Sequence, residues 1–156
     1  MRHFSHRAAG LALALLLLLP LPAGAEGAQP AQNPTPTSPG YLLFFHGDAA
    51  ELTPHAHLVI VKAAQRARQL AEARRLDHIK VIGYSDAVSS PDAARELSLR
   101  RAETIRDTLL SHGMAADRIT VEGRGRTRPV LKPGEEAREQ GNRRARIVIY
   151  QRPYYP

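Results

Sequence analysis

The sequence predicts an α/β fold, a two-layer β-α-β-α-β-(α)-β sandwich with helices packed on a four-stranded mixed sheet. Three observations predict it. Four short runs, Tyr41–Phe45, His78–Gly83, Arg118–Glu122 and Arg144–Tyr150, are apolar or alternate, and read as strands. Two long segments between them carry apolar residues at spacings of three and four, the mark of one buried helical face. Each of those segments opens on a capping residue followed by proline, Thr53-Pro54 and Ser90-Pro91, and proline suits the first helical position. Strands alternating with helices place the helices on a sheet, with right-handed crossovers wherever the joined strands are parallel.

In chain order, Arg2 and Arg7 precede an unbroken Leu/Ala run from Leu11 to Leu19, and Ala23-Gly24-Ala25 follows. This is the pattern of a secretory signal with cleavage expected after Ala25. The alternative is an uncleaved anchor, but the run falls short of the roughly 20 residues that span a bilayer, and Pro20 and Pro22 interrupt it. Glu26 to Pro39 is rich in Pro, Ala, Gln and Thr and offers no core, so it reads as a semi-rigid tether; an ordered arm along the domain is the alternative. The division is therefore a signal peptide over 1–25, a linker over 26–39, a folded domain over 40–150 and a tail over 151–156.

The first strand ends at the turn signal His46-Gly47-Asp48. The helix from Pro54 to about Leu76 aligns Ile60, Ala63, Ala64, Ala67, Leu70 and Ala71 on one face. The second helix runs from Pro91 to about His112, and Gly113 is a natural left-handed terminator. A loop rich in Gly, Arg and Pro spans Gly123–Pro133, and Gly134–Gln140 suits one or two helical turns. In the last strand Ile147 and Ile149 alternate against Arg146 and Val148.

The formal charge is +7, and removal of Arg2 and Arg7 with the signal leaves +5. A basic chain suits anionic polymers; export turns that expectation from nucleic acid to envelope polymers and surfaces. With no cysteine, disulfides, thiolate zinc sites and cysteine nucleophiles are excluded, and no cysteine follows the signal to take a lipid anchor.

One residue breaks the helical pattern. At about 100° per residue, Ala94, Leu97, Ser98, Ala102, Ile105 and Leu109 share a sector, and Arg101 falls inside it. Arg100 instead faces the polar side near Glu96, Glu103 and Asp107. An arginine on an apolar face needs a carboxylate or phosphate partner, or it lies at the stripe edge and reaches water along its stem. Asp86, just past the second strand, is a candidate partner or ligand contact, although an aspartate there is more often a turn or cap residue. Ligands of α/β sheets commonly sit in crevices beyond strand ends.

Taken together these segments resemble a family. Gly83-Tyr84-Ser85-Asp86 followed by Leu97-Ser98-Leu99-Arg100-Arg101-Ala102 is similar to the pattern GHTD…LSxxRA, with matching spacing. Gly123-Arg124-Gly125-Arg126-Thr127-Arg128-Pro129 is similar to a GxGxxxP loop, and Asn142-Arg143-Arg144-Ala145-Arg146-Ile147 to a closing NRRVEI segment. Ala50-Glu51-Leu52-Thr53-Pro54 resembles the start of the first helix. Over about residues 41–150 the chain resembles the OmpA C-terminal-like domain shared with MotB and peptidoglycan-associated lipoproteins.

The resemblance implies non-covalent binding of peptidoglycan at the cell envelope, with no catalysis and no cofactor. It implies that Asp86 and Arg101 hold the diaminopimelate of the stem peptide, Asp86 taking the ammonium and Arg101 the carboxylate. Gly83, Tyr84, Ser85, Leu97, Asn142 and Arg143 would support them. Location would be periplasmic, on the cell wall or outer membrane, with other envelope proteins as further partners and no nucleic acid. The chain departs from the pattern at Tyr84 in place of His, Ser89 in place of Gly and Ala94 in place of Asn, and His46-Gly47-Asp48 replaces a more acidic stretch. A structural adaptor that has lost wall binding is the second reading. An exported metal-dependent or hydrolytic enzyme is the third: His55 and His57 lie about 200° apart on a helix, and neither Ser85 nor Ser98 sits in a Gly-x-Ser-x-Gly turn.

Overall fold

A computed structural model describes residues 33–36, 40–85, 90–127 and 141–153. Seven elements follow in order: β1 (Thr35–Pro36), β2 (Tyr41–Phe44), α1 (Pro54–Glu72), β3 (Leu76–Gly83), α2 (Pro91–Ser111), β4 (Ile119–Gly123) and β5 (Arg144–Gln151). The sheet is mixed, as expected. β3 runs parallel to β4 and antiparallel to β5, and β1 and β2 lie end to end along the other edge of β5.

The four expected strands form, and β1 adds a fifth. It comes from the segment read as a tether: Thr35 pairs with Gln151 and Pro36 with Tyr150. Proline tolerates this position because an edge strand leaves one side of its backbone unpaired. The tail is likewise engaged, since Gln151 is in β5 and the Arg152 N–H donates to the Arg75 carbonyl at 2.8 Å.

Both helices begin as the capping signals predict. The Thr53 hydroxyl accepts from the Ala56 N–H at 3.0 Å, and the Ser90 hydroxyl from the Ala93 N–H at 3.1 Å. α1 ends several residues before Leu76, because Arg74 turns left-handed at φ 54° and Leu76 opens β3. α2 ends at Ser111, and Gly113 takes the left-handed position at φ 83°. Arg118, expected in a strand, closes a 3-10 turn over Ala116–Arg118. The expected turns over 134–140 lie outside the described residues.

The core lies between the helices and one face of the sheet. Leu43, Ile79, Val81, Ala145, Ile147 and Ile149 from the strands meet Ile60, Ala63 and Ala67 of α1 and Ala102, Ile105 and Leu109 of α2. Ala71, placed on the buried face by periodicity, is exposed. Gly83 and Gly123 pair side by side at the ends of β3 and β4. A Cβ on Gly83 would strike the Ser98 carbonyl, and one on Gly123 would lie 2.8 Å from the Arg95 carbonyl oxygen. Two residues without side chains thus let α2 rest directly on the strand ends. Among the described residues, no helix is long and apolar enough to cross a membrane.

Candidate functional site

The C-terminal ends of β2, β3 and β4, the entry into β5 and the N-termini of both helices meet at one pole of the domain. Arg101 sits at their junction. It has no exposed surface, and it is the largest of the fully buried side chains. The alternative of a stripe-edge arginine reaching water is therefore excluded.

Its partners include groups that side-chain patterns do not reveal. Nε donates to the Ala49 carbonyl at 2.9 Å, Nη1 to the Tyr84 carbonyl at 3.1 Å and Nη2 to the Gly47 carbonyl at 2.6 Å. The guanidinium lies 5.0 Å from the centre of the Phe45 ring, within cation–π range. A planar fork with fixed donor directions can tie two chain segments together in this way, whereas a lysine ammonium cannot. Arg101 joins the loop after β2 to the end of β3. Arg100, one residue earlier, is half exposed and pairs with Glu96 at 2.6 Å, as the helical geometry predicts.

The end of β3 is held from other sides as well. The Tyr84 N–H donates to the Arg144 carbonyl at 2.8 Å, and the Ser85 N–H to the Gly125 carbonyl at 2.9 Å. The Ser98 hydroxyl donates to the Arg95 carbonyl at 2.7 Å and accepts from the Gly125 N–H at 2.8 Å. Ser98 therefore ties the glycine loop to α2. Gly83, Tyr84, Ser85 and Leu97 are thus brought together with Arg101; Tyr84, Ser85 and Leu97 are all buried. Asn142 and Arg143 flank the site from the entry into β5: the Arg143 carbonyl accepts from the Phe45 N–H at 2.8 Å, and Asn142 Oδ1 lies 3.4 Å from Arg144 Nη1. Asp86 and Ser89 lie outside the described residues.

Tyr84, which stands in place of a histidine, turns its ring away from Arg101. Its carbonyl meets Arg101, while its ring lies 4.2 Å beneath the Arg144 guanidinium and its hydroxyl is 3.4 Å from Arg124 Nη1. Arg124 in turn donates to Glu122 at 2.7 Å, and Lys80 pairs with Glu122 at 2.8 Å. Hydrogen bonds from Arg124 and then Lys80 pull the Glu122 carboxyl down from 4.5 to about 2. This network on the face of the sheet away from the helices was missed from sequence. Its available signal was the alternation that sets Lys80, Glu122 and Arg144 out of phase with the core-facing residues of their strands. No group of three or more His, Cys, Asp or Glu among the described residues could hold a metal ion.

Comparison with known proteins places the fold and the family. An outer membrane protein of Gluconacetobacter diazotrophicus is 32% identical over 123 residues, covering 75% of this chain and 31% of that protein. The peptidoglycan-binding protein ArfA of Mycobacterium tuberculosis is 28% identical over 110 residues, 70% of this chain and 32% of that protein. The chain thus spans about a third of the length of these two relatives, and 62% of the outer membrane protein A of Bordetella avium. The crystal structure of the peptidoglycan-associated lipoprotein from Burkholderia pseudomallei shares the fold, with a TM-score of 0.63 at 24% identity over 71% of this chain and 90% of that one. The OmpA family model matches residues 44–144, from the end of β2 to the start of β5, and the chain belongs to the OmpA family.

Proposed function

We propose that the chain binds peptidoglycan non-covalently and anchors or scaffolds at the cell envelope, in the periplasm. The observation that carries this reading is the placement of Arg101. It is locked by main-chain carbonyls at the pole where β3 delivers Gly83-Tyr84-Ser85, and Asp86 follows next in the sequence. Family membership and the name of the ArfA relative support it.

In this reading the ligand is diaminopimelate. Asp86 takes its ammonium and the Arg101 guanidinium its carboxylate, a charge-assisted pair of contacts at the two ends of one zwitterion. Because Arg101 has no exposed surface, a stem peptide reaches it only when the residues covering it shift. That same burial favours a second reading, in which Arg101 is purely a tie between segments and the fold serves as an adaptor. Both readings are of a binding module, not an enzyme.

Titration with three stem peptides separates them. Diaminopimelate, its side-chain amide and lysine differ in the carboxylate that Arg101 would meet. The first should bind tightest, with a loss of roughly 1–3 kcal/mol for the other two. Salt is held constant, since a basic domain attracts anions nonspecifically. Equal affinities would sink the clamp, and failure to pellet with purified sacculi would put the adaptor first.

A further inference from the structure

The opposite pole of the domain carries a second concavity. Both helices end there, β3 and β4 begin there, and β5 leaves. A cavity of about 450 Å³ opens among these ends, within the size range of small-molecule sites. Ala71, Leu76 and Met114 give it apolar lining, and Arg74, Arg118 and Arg152 line it as well.

Those three arginines come from three separate places in the chain: the turn between α1 and β3, the 3-10 turn before β4, and the residue after β5. Arg118 Nη1 donates to the Asp77 carbonyl at 2.8 Å, and Arg152 Nε stands 3.5 Å from an Asp77 carboxylate oxygen. Asp117, largely exposed, is 3.9 Å from Arg118 Nε. Two carboxylates therefore face three positive charges, and Arg74 has neither as a partner.

Arg74 carries a second, independent signal. The two helices close with the same pair of bonds. Arg75 N–H donates to Leu70 and Arg74 N–H to Ala71 at 2.7 and 2.9 Å; Met114 N–H donates to Leu109 and Gly113 N–H to Leu110 at 3.1 and 2.9 Å. At the left-handed position α2 uses Gly113, whereas α1 uses Arg74 at φ 54°, the one non-glycine residue with positive φ among the described residues. A side chain there carries strain that glycine avoids. Strain held at a cavity wall points to a use for the side chain.

We propose that this cavity binds a phosphate monoester bearing a short apolar group. The phosphate lies among Arg74, Arg118 and Arg152, and the apolar group rests on Leu76 and Met114. Guanidinium groups brought from three separate chain segments suit a doubly charged tetrahedral oxyanion better than a flat carboxylate. The same chemistry is offered by a lipid headgroup and by a soluble phosphate ester.

The test uses the full chain at fixed ionic strength, titrated with hexyl phosphate, inorganic phosphate and hexanol. Hexyl phosphate should bind, and both fragments should bind more weakly. Arg74→Gly and Arg152→Gln should each weaken hexyl phosphate roughly tenfold, the loss of one charged hydrogen bond. Arg106→Gln removes an equal charge from α2, where Arg106 pairs with Asp107, and should change nothing. Arg74→Gly also relieves the left-handed strain, so lost affinity with an unchanged or higher Tm is not a folding defect. Phosphatidic-acid vesicles that recruit the chain, and fail to recruit Arg74→Gly, identify the lipid headgroup as the source. Hexyl phosphate binding without recruitment identifies a soluble ester. The proposal is overturned if hexyl phosphate does not bind, if hexanol binds as well, or if Arg106→Gln loses as much as Arg74→Gly.

Discussion

The Ser98 carbonyl oxygen occupies the space where a side chain on Gly83 would stand. The obstacle is helix backbone, so it cannot swing aside. Gly83→Ala forces α2 away from β3 and disturbs the Ser98–Gly125 hydrogen bond with it. The expected loss is about 3 kcal/mol, at the upper end for overpacking, read from the urea midpoint. Gly123→Ala meets Arg95 and Leu99 at slightly longer range and should cost less. A neutral Gly83→Ala would mean that helix and strand are not in close contact here.

Glu122 sets a pH dependence at the acid end. Its folded carboxyl titrates at about 2 against an ordinary 4.5, because Arg124 and Lys80 hydrogen-bond the charged form. A depressed folded value gives stability that is present above 4.5 and lost as pH falls from there towards 2. Glu122 is about a third exposed, so solvent screens the pair and the effect is small. Glu122→Gln should lower Tm slightly at neutral pH, converge on the wild type near pH 2, and so flatten the fall between them. An identical slope in both proteins would remove Glu122 as its source.

The fold was legible because local signals agreed with one another. Thr53-Pro54, Ser90-Pro91 and Gly113 each mark a helix boundary that a hydrogen bond or backbone angle bears out. The end of α1 was misread because Arg74 does what glycine normally does, and residue type gives no sign of it. Arg101 was legible as an anomaly but not as a solution. Pattern analysis looks for a charged partner, and carbonyl oxygens at Gly47, Ala49 and Tyr84 have no residue signature. β1 escaped notice because two edge residues pair through backbone alone, and Thr35-Pro36 has neither alternation nor apolar bulk.

The edge pairing makes a truncation informative. A chain beginning at residue 33 keeps the ladder between Thr35–Pro36 and Tyr150–Gln151; one beginning at residue 40 loses it. A net loss of about 1 kcal/mol is expected between the two, the scale of one or two exposed backbone hydrogen bonds. Removing residues 1–32 alone leaves that ladder intact and should leave Tm unchanged. Equal midpoints for all three chains would show that β1 adds nothing to stability.

Arg100 and Arg101 are neighbours in sequence with opposite expected sensitivities. Arg100 and Glu96 form an exposed i, i+4 pair, so Arg100→Ala should cost under about 0.5 kcal/mol. Arg101→Ala strips three buried or half-buried carbonyls of a donor and leaves a void above Phe45, for an expected loss of roughly 3–5 kcal/mol. Loss of sacculus binding in Arg101→Ala alone would therefore not distinguish a ligand contact from a collapsed site. Arg101→Lys separates them. It keeps the charge on a single donor nitrogen but not the planar fork, so it should fall between wild type and Arg101→Ala in stability. Binding is then measured well below its midpoint, with near-ultraviolet circular dichroism confirming native packing. If Arg101 reads a carboxylate, the lysine variant loses affinity for diaminopimelate peptide but hardly changes towards the amidated peptide, which has no charge for it to meet. If Arg101 only ties the loop after β2 to β3, both peptides weaken in proportion to the lost stability. Asp86→Asn gives the complementary measurement at the ammonium end, and wild-type affinity in that variant would count against the two-residue clamp whatever Arg101 does.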